Sequence, residues 1–381
     1  MAQVGSVETR VLVAMGDNER VAEHYNRVEQ RGLRERRESR IIRLRKFNNW
    51  VKDVLIQQYS RPGYTVLDFA CGKGGDLLKW QRAMALHYVG CDTALVSLQQ
   101  AVGRYSEITG PKFTCSLLWG DCFAVDLDSY LEPGLTFDLV SCQFAIHYAF
   151  ENEARVRQML TNATARLKKG GYFLGTTTDS NVLLRKLYAV QHLTFGNPVY
   201  AVRFTDENAR KCFRKDQPFG HKYFFTLDEQ VEDCPEFVVH MPAFARIAEE
   251  YGLKLIEAKN LHQFWVDQQT VDASMKSFER NKVLGHDRSF PCDEWDAIYL
   301  YTTFVFQKTG DMAPLGLGAV DALQRLSDLN EDKLRLEPSQ IIRMTVQGSM
   351  TVDDTVDSVP QVNAMSDSRD SPESPDSSSR P

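Results

Sequence analysis

Two carboxylates flank a pair of glycines in the stretch YTVLDFACGKGGDLLKW (residues 64–80): Asp68 stands before, and Asp76 after, Gly72 and Gly74. Glycine lets backbone approach a ligand at distances that a side chain would block. A phosphate-cradling loop would need GxxxxGK followed by Ser or Thr, whereas Gly75 is followed by Asp76. A dinucleotide fingerprint needs GxGxxG, and no third glycine stands at that spacing. Acids on both sides of the loop suit a ligand that is positively charged and lacks phosphates. S-adenosylmethionine (SAM), with its sulfonium and ammonium groups, fits; the competing reading is an ordinary strand-to-helix turn that uses glycine for geometry. Asp92 lies 20 residues past Gly72, where the acid that accepts from an adenosine ribose usually stands.

These residues need a sheet to position them. Tyr64–Phe69 reads as a strand rich in β-formers, and Leu77, Leu78 and Trp80 follow at helical spacing. Further strands are expected at Leu86–Cys91, at Phe113–Trp119 (leading to Asp121), and at Phe137–Cys142, which runs into Gln143-Phe144-Ala145-Ile146-His147-Tyr148. An amphipathic helix over Asn152–Leu167 is expected to stop at Lys168-Lys169-Gly170-Gly171, before a fifth strand at Tyr172–Thr177. Strands alternating with helices predict an α/β protein with a doubly wound parallel sheet. After residue 190 the order changes. Pro198–Phe204 and Lys222–Leu227 read as extra strands of an insertion, Met241–Tyr251 as a helix, and Leu253–Ala258 and Ile298–Phe306 as a sixth and a seventh strand.

Composition narrows the setting. An apolar fraction of 43% supports a sizeable core. Eight scattered cysteines without a CxxC pair predict a reducing compartment, no disulfide framework and no structural metal. No apolar run reaches the length of a membrane span, so no membrane partner is expected. Arginines crowd Arg27–Lys46, as a solvated helix face or a polyanion contact, and lead into an amphipathic helix whose other face carries Asn48, Asn49 and Lys52. From Asp311 onward there are 13 acidic and 6 basic residues; this balance of −7 against a net −6 leaves the rest at about +1. Met350–Pro381 is Ser-, Asp- and Pro-rich and reads as disordered, with Ser371 and Ser374 as candidate phosphorylation sites. Val320, Leu323, Leu326 and Leu329 suggest a short partner-binding helix.

Five motifs in one order then carry a resemblance: FNNWVK (residues 47–52), VLDFACGKGGDLLKW, SCQFAIHYAFE (141–151), GGYFLGTT and CPEFVVH (234–240). Over residues 41–308 the chain resembles the eukaryotic mRNA cap (guanine-N7) methyltransferases. The resemblance implies a class I SAM-dependent methyltransferase domain with a Rossmann-like, mostly parallel seven-stranded sheet and a cap-binding insertion between strands 5 and 6. It sets this domain between a basic, partly flexible segment (1–40) and an acidic, largely disordered tail (309–381). It implies SAM as methyl donor, the GpppN cap of nascent mRNA as acceptor, and a nuclear location. The transcription or capping machinery, or an activating subunit, are further candidate partners. Carried over position by position, the SAM contacts are Lys52, Ala70, Gly72, Asp92, Asp121, Gln143 and Tyr148. The cap contacts are Asn48, Asn49, Lys73, Lys79, Arg104, Phe144, His147, Glu236 and a final-strand tyrosine, Tyr301 in preference to Tyr299. No residue is expected to act by proton transfer; His147, Tyr148 and Glu236 position the base. Ala70 replaces the family's glycine, costing little at negative φ and about 1 kcal/mol or more at positive φ. Two other readings stay open: a methyltransferase for another RNA or a small molecule, and a silent stimulatory subunit.

Overall fold

Near-continuous runs of Val, Leu, Phe and Cys make strands that are buried on both faces, as a parallel sheet covered by helices requires. A computed structural model describes residues 17–27, 39–206, 217–285, 288–310 and 316–345. In it the strands β1 (Thr65–Phe69), β2 (His87–Asp92), β3 (Thr114–Trp119), β4 (Phe137–Gln143) and β5 (Leu167–Thr178) run parallel in the order β3-β2-β1-β4-β5. The insertion forms its own antiparallel sheet of β6 (Thr194–Gly196), β7 (Tyr200–Phe204), β8 (Lys222–Leu227) and β9 (Val231–Phe237). Next come β10 (Leu253–Asn260) and β11 (Tyr301–Lys308), with β11 antiparallel to both β5 and β10. Helices α1 (Asp17–Arg27), α2 (Ile42–Tyr59), α3 (Leu77–Arg82), α4 (Leu95–Ser106), α5 (Glu153–Thr164), α6 (Ser180–Ala189) and α7 (Met241–Glu250) precede α8 (Leu261–Gln268), α9 (Asp272–Arg280), α10 (Cys292–Ile298) and α11 (Ala319–Ser327). The doubly wound sheet and the insertion after strand 5 are as the sequence predicts.

Four details differ from expectation. Lys168–Gly171 is not a helix stop: it lies inside β5, where the register jumps from Phe137–Leu167 to Leu139–Tyr172 and the extra residues bulge. Ile298 and Tyr299 are not strand residues; α10 ends there, and the strand begins at Tyr301. The main sheet has eight strands rather than seven among the described residues, because Ile342–Arg343 (β12) pairs with β3. Residues 316–345 therefore depart from the disorder expected of the tail. The helix expected around Val320–Leu329 exists as α11, but it buries Ala322 and Leu326 in this chain while Val320 is exposed. Ser371, Ser374 and most of the Arg27–Lys46 stretch lie outside the described residues.

The placement of α2 matters most for the site. Phe47 and Trp50 are fully buried among rings from α8, α9 and the turn before α10, and the Trp50 indole donates to the Ser274 carbonyl at 2.9 Å. That anchor turns Asn48, Asn49 and Lys52 away from the aromatic core. No residue beside Ile41 caps the N-terminus of α2; the Leu44 amide instead donates to the Glu294 carboxylate at 2.7 Å, 250 positions later in sequence. Glu294 is 2% exposed, and removing it leaves a helix-terminal amide buried without a partner. Glu294→Ala should lower stability by about 1–2 kcal/mol, with Glu294→Gln retaining most of it, as read from urea unfolding midpoints.

Candidate active site

The carboxyl ends of β1, β2 and β3 converge on one cleft. Ala70, Gly72 and Gly74 all take left-handed backbone, at φ 51°, 54° and 68°. Every second residue of the loop therefore reverses its course, which bends the chain away from the strand tip. At Gly74 a side chain is excluded by contact as well, since a Cβ there would sit 2.6 Å from Leu77 Cδ1. Asp92 ties this loop to β2: one carboxylate oxygen accepts from the Gly72 amide and the other from the Ala94 amide, each at 2.8 Å. Burial raises the Asp92 carboxyl, and those backbone donors oppose the rise. Asp121 accepts from the Phe123 amide at 2.9 Å and from the Arg155 guanidinium at 2.8 Å. The cleft, of about 460 Å³ with its open mouth, is lined by Asn18, Val21, Tyr25, Ala70, Asp92, Thr93, Asp121, Cys122, Phe123, Tyr148 and Arg155. Two acids at its rim and apolar side chains within suit a nucleoside, whose hydroxyls donate and whose base is flat and apolar on both faces.

Three of those lining residues come from α1, which the sequence reading places only in a basic, partly flexible segment (1–40). Tyr25 meets the Tyr148 hydroxyl at 3.2 Å, Asn18 donates to Glu151 at 3.1 Å, and Lys222 pairs with Asp17 at 3.0 Å. One signal was present: Asp17 and Glu19 in the first turn and His24 and Arg27 in the last match a helix dipole. Arg155 was missed for a different reason. Its partner Asp121 is 34 positions earlier, and only the crossing of α5 over the sheet joins them.

A second, drier compartment adjoins the first. The chain leaves β4 at Gln143, which accepts from the Thr176 hydroxyl at 3.1 Å, and turns at Phe144, again left-handed at φ 58°. His147, Tyr148 and Tyr301 are buried beside Glu236, which β9 presents from the insertion. Phe144 and Tyr301 meet edge to face with ring centroids 5.1 Å apart, and His147 and Tyr148 lie at 4.3 Å. Glu236 accepts from the Tyr223 hydroxyl at 2.6 Å, and its other oxygen is 3.5 Å from His147 Nε2. Burial pushes the Glu236 carboxyl up to about 7, against the pull of Tyr223. Burial also pushes the His147 imidazole down to about 3, so the ring is neutral, and neither of its nitrogens has a hydrogen-bond partner among the described residues. Buried polar groups are nearly always satisfied, so a buried carboxylate beside an orphaned imidazole and aromatic rings points to a polar, flat ligand. Of the two candidate tyrosines, Tyr301 reaches this compartment, whereas Tyr299 closes α10 and accepts from Arg185.

Among the basic cap contacts carried over, Lys73, Lys79 and Arg104, which the sequence offers as counter-charges for the cap triphosphate, Lys79 is arranged differently from expectation. Lys79 is 6% exposed and pairs with Asp76 at 2.7 Å while donating to Asn49 and the Gly75 carbonyl. It is not a solvent-facing counter-charge but part of the scaffold. Lys52 pairs with the same Asp76 at 2.9 Å, and so joins α2 to the glycine loop rather than lining the cleft. Burial alone would raise the Asp76 carboxyl, but the two lysines outweigh it and hold it well below the usual carboxylate range. Asp68 is buried and accepts from the Tyr88 hydroxyl at 3.0 Å; burial, reinforced by Asp76, lifts its carboxyl to about 7. On the same side of α2, Asn48 has a buried side-chain oxygen without a partner among the described residues. Lys73 sits half-buried in the glycine loop, and Arg104 half-buried in the last turn of α4.

The left-handed φ of Ala70 settles its cost: about 1 kcal/mol of strain is stored where the backbone meets the cleft. Ala70→Gly should change stability by less than about 1 kcal/mol, relief of strain being offset by glycine's freer unfolded chain. Ala70→Val should lose about 2 kcal/mol or more, because a branched side chain tolerates this region worst. Thermal melts of the two variants check both numbers.

Comparison with known proteins places this geometry. A model of the mRNA (guanine-N(7))-methyltransferase domain matches residues 11–309. The mRNA cap guanine-N(7) methyltransferase 1 of Arabidopsis thaliana is 44% identical over 303 residues, 77% of this chain and 82% of its own. Its counterpart in Oryza sativa subsp. japonica is 43% identical over 301 residues, 76% and 81% of the two chains. A solved S-adenosylmethionine-dependent methyltransferase from Clostridium acetobutylicum overlays 70% of this chain and 92% of its own, at 12% identity and a TM-score of 0.40. With most of its length covered by the domain and by relatives of this identity, the chain belongs to the mRNA (guanine-N(7))-methyltransferase family.

Proposed function

We propose that this protein transfers the methyl group of SAM to N7 of the guanine in GpppN-capped RNA. The observation that carries the reading is Glu236: a buried carboxylate, bonded on one side to Tyr223 and facing a neutral His147 whose nitrogens have no partner among the described residues. Guanine presents N1–H and an exocyclic amine side by side, and a carboxylate accepts from both; adenine lacks that donor pair. The cleft beside it fits SAM on its own residues. Asp92 and Asp121 can accept from ribose and adenine donors, and Val21, Tyr25 and Phe123 can flank the base. When bound there, SAM supplies a methyl already activated by its sulfonium. Capped nascent mRNA as partner and the nucleus as location belong to the same proposal, supported by the family and the arginine-rich stretch.

Guanine N7 carries a free lone pair at neutral pH, so this chain has no proton to remove. Its task is placement. Phe144 and Tyr301 wall the base, His147 and Tyr148 close its other side, and Glu236 fixes its Watson–Crick edge so that N7 points toward the cofactor cleft. In-line placement of this kind is worth several kcal/mol. Methylation makes the base cationic, and an ionised Glu236 in a dry compartment favours that charge more in the transition state than before it.

A direct test is transfer of labelled methyl from SAM to GpppA, with ATP and uncapped RNA as controls; label recovered as 7-methylguanosine from GpppA alone supports the reading, and its absence despite SAM binding overturns it. The titration of Glu236 gives a second expectation. The carboxylate is the useful form, and its value of about 7 lies above the ordinary 4.5. Hence kcat/KM for the cap should climb as pH passes through about 7 and level off above it. Glu236→Gln should fall on the order of 10²-fold at pH 8 and lose this rise. Stability runs the other way. A raised carboxyl contributes stability that is fully present below 4.5 and lost as pH rises through about 7, so Glu236→Gln should melt higher than wild type at pH 8 but not at pH 4.5.

A further inference from the structure

The matched family domain ends at residue 309, yet residues 316–345 return to the sheet. The Leu317 amide donates to the Pro62 carbonyl at 2.7 Å, just before β1, and its side chain fills the space at Gly63. The segment then crosses to the far edge and adds β12 in parallel to β3, pairing Ile342 with Leu118 and Arg343 with Trp119. The Met344 amide donates to the Trp119 carbonyl at 2.8 Å, and the Tyr130 hydroxyl both donates to and accepts from the Thr345 backbone at 3.0 Å. Without β12, β3 would be an open edge strand.

The turn after β3 carries Asp121. Gly120 sits at φ 155°, and a Cβ there would lie 2.9 Å from Met344 Cβ and 3.2 Å from the Met344 carbonyl oxygen, so the two backbones touch. Met344 is 6% exposed and belongs to the same apolar cluster as Leu118, Cys122 and Phe123, the last two of which line the nucleoside cleft. A second route starts at Arg343, whose guanidinium lies 4.9 Å from the Trp119 ring. The Trp119 indole donates to the Thr93 carbonyl at 3.1 Å, and Thr93 follows Asp92 in the cleft wall. Both cleft acids are thus braced from one side by residues that lie outside the family domain.

We propose that residues 316–345 form a positioning strap for the methyl-donor half of the site, with Met344 holding the Gly120–Asp121 turn and Arg343 steadying Trp119 against Thr93. The inference rests on the reading of that cleft as the SAM site. The strap's contacts reach the nucleoside cleft through Gly120 and Trp119 and none of those named above reaches the guanine compartment, so it acts on donor affinity and leaves the guanine compartment unaltered. An edge turn freed of such a brace regains backbone freedom that ligand binding must then remove.

The test uses the full chain with Met344→Ala, Met344→Leu and Ile342→Pro, and reads S-adenosylhomocysteine affinity by calorimetry beside KM for SAM and for GpppA. Ile342→Pro removes a ladder donor at a partly exposed position and hollows no core, so it carries the test if Met344→Ala does not fold. Met344→Ala and Ile342→Pro should weaken S-adenosylhomocysteine binding and raise KM for SAM by about tenfold, with KM for GpppA within about twofold of wild type. Met344→Leu should restore both. Unchanged affinity in folded Met344→Ala and Ile342→Pro overturns the proposal, as does a parallel loss of donor and cap KM, which would mark a merely structural role. Wild-type protein that fails to bind S-adenosylhomocysteine overturns the SAM reading itself and takes the strap with it.

Discussion

A carboxylate held between two lysines is the point from which the site is built. Asp76 is 8% exposed and is engaged by Lys52 from α2 and Lys79 from its own helix. A charge buried this deeply is tolerable only when paired, so the pairing fixes α2 against the glycine loop to within hydrogen-bonding distance. Replacing such a network with apolar residues often costs little stability, but it would leave the register between two elements undefined. Asp53, three residues before the end of the buried run of α2, makes a similar join with Arg82, Ser277 and Arg280. Together they orient a helix whose Asn49 accepts from Lys79 of α3 and whose Trp50 faces an aromatic core.

Three carboxyl groups, Asp76, Asp92 and Glu236, show how environment divides the work. All are buried. Asp76 has two ammonium partners and stays ionised; Asp92 has backbone amides, enough to hold it in place but not to cancel burial; Glu236 has one tyrosine hydroxyl and titrates near neutrality. The number and charge of the donors facing each group decide whether it stays ionised or is pushed toward neutrality. Left-handed backbone at Ala70 and at Phe144 marks the rims of the two compartments, consistent with strain tolerated where the surroundings over-determine the chain.

The insertion and the C-terminal strap bracket the sheet from opposite sides. β9 delivers Glu236 to the compartment proposed for the guanine, and β12 reaches the turn after β3 at the other edge. Neither belongs to the alternating strand–helix plan, and each addresses one half of the cleft.

Much of this was legible in the sequence because it depends on local pattern. Apolar strands ending in Asp68, Asp92 and the approach to Asp121 announce a parallel sheet, since a strand buried on both faces has no polar alternation to hide. The glycine loop is equally local: the turn needs φ values that glycine supplies, and the odd Ala70 stands out for the same reason. Other features were decided only by tertiary structure. Lys79 reads as a phosphate counter-charge until Asp76, Lys52 and Asn49 close around it, because a lysine's role depends on which carboxylate lies within reach. Tyr25 and Asn18 join the cleft through packing of α1 on segments more than a hundred residues away, and no periodicity within α1 encodes that address. The strap is the extreme case. Two strand residues, Ile342 and Arg343, are too short a run to signal a β-strand, and only the open edge of β3, formed more than two hundred positions earlier, makes them one.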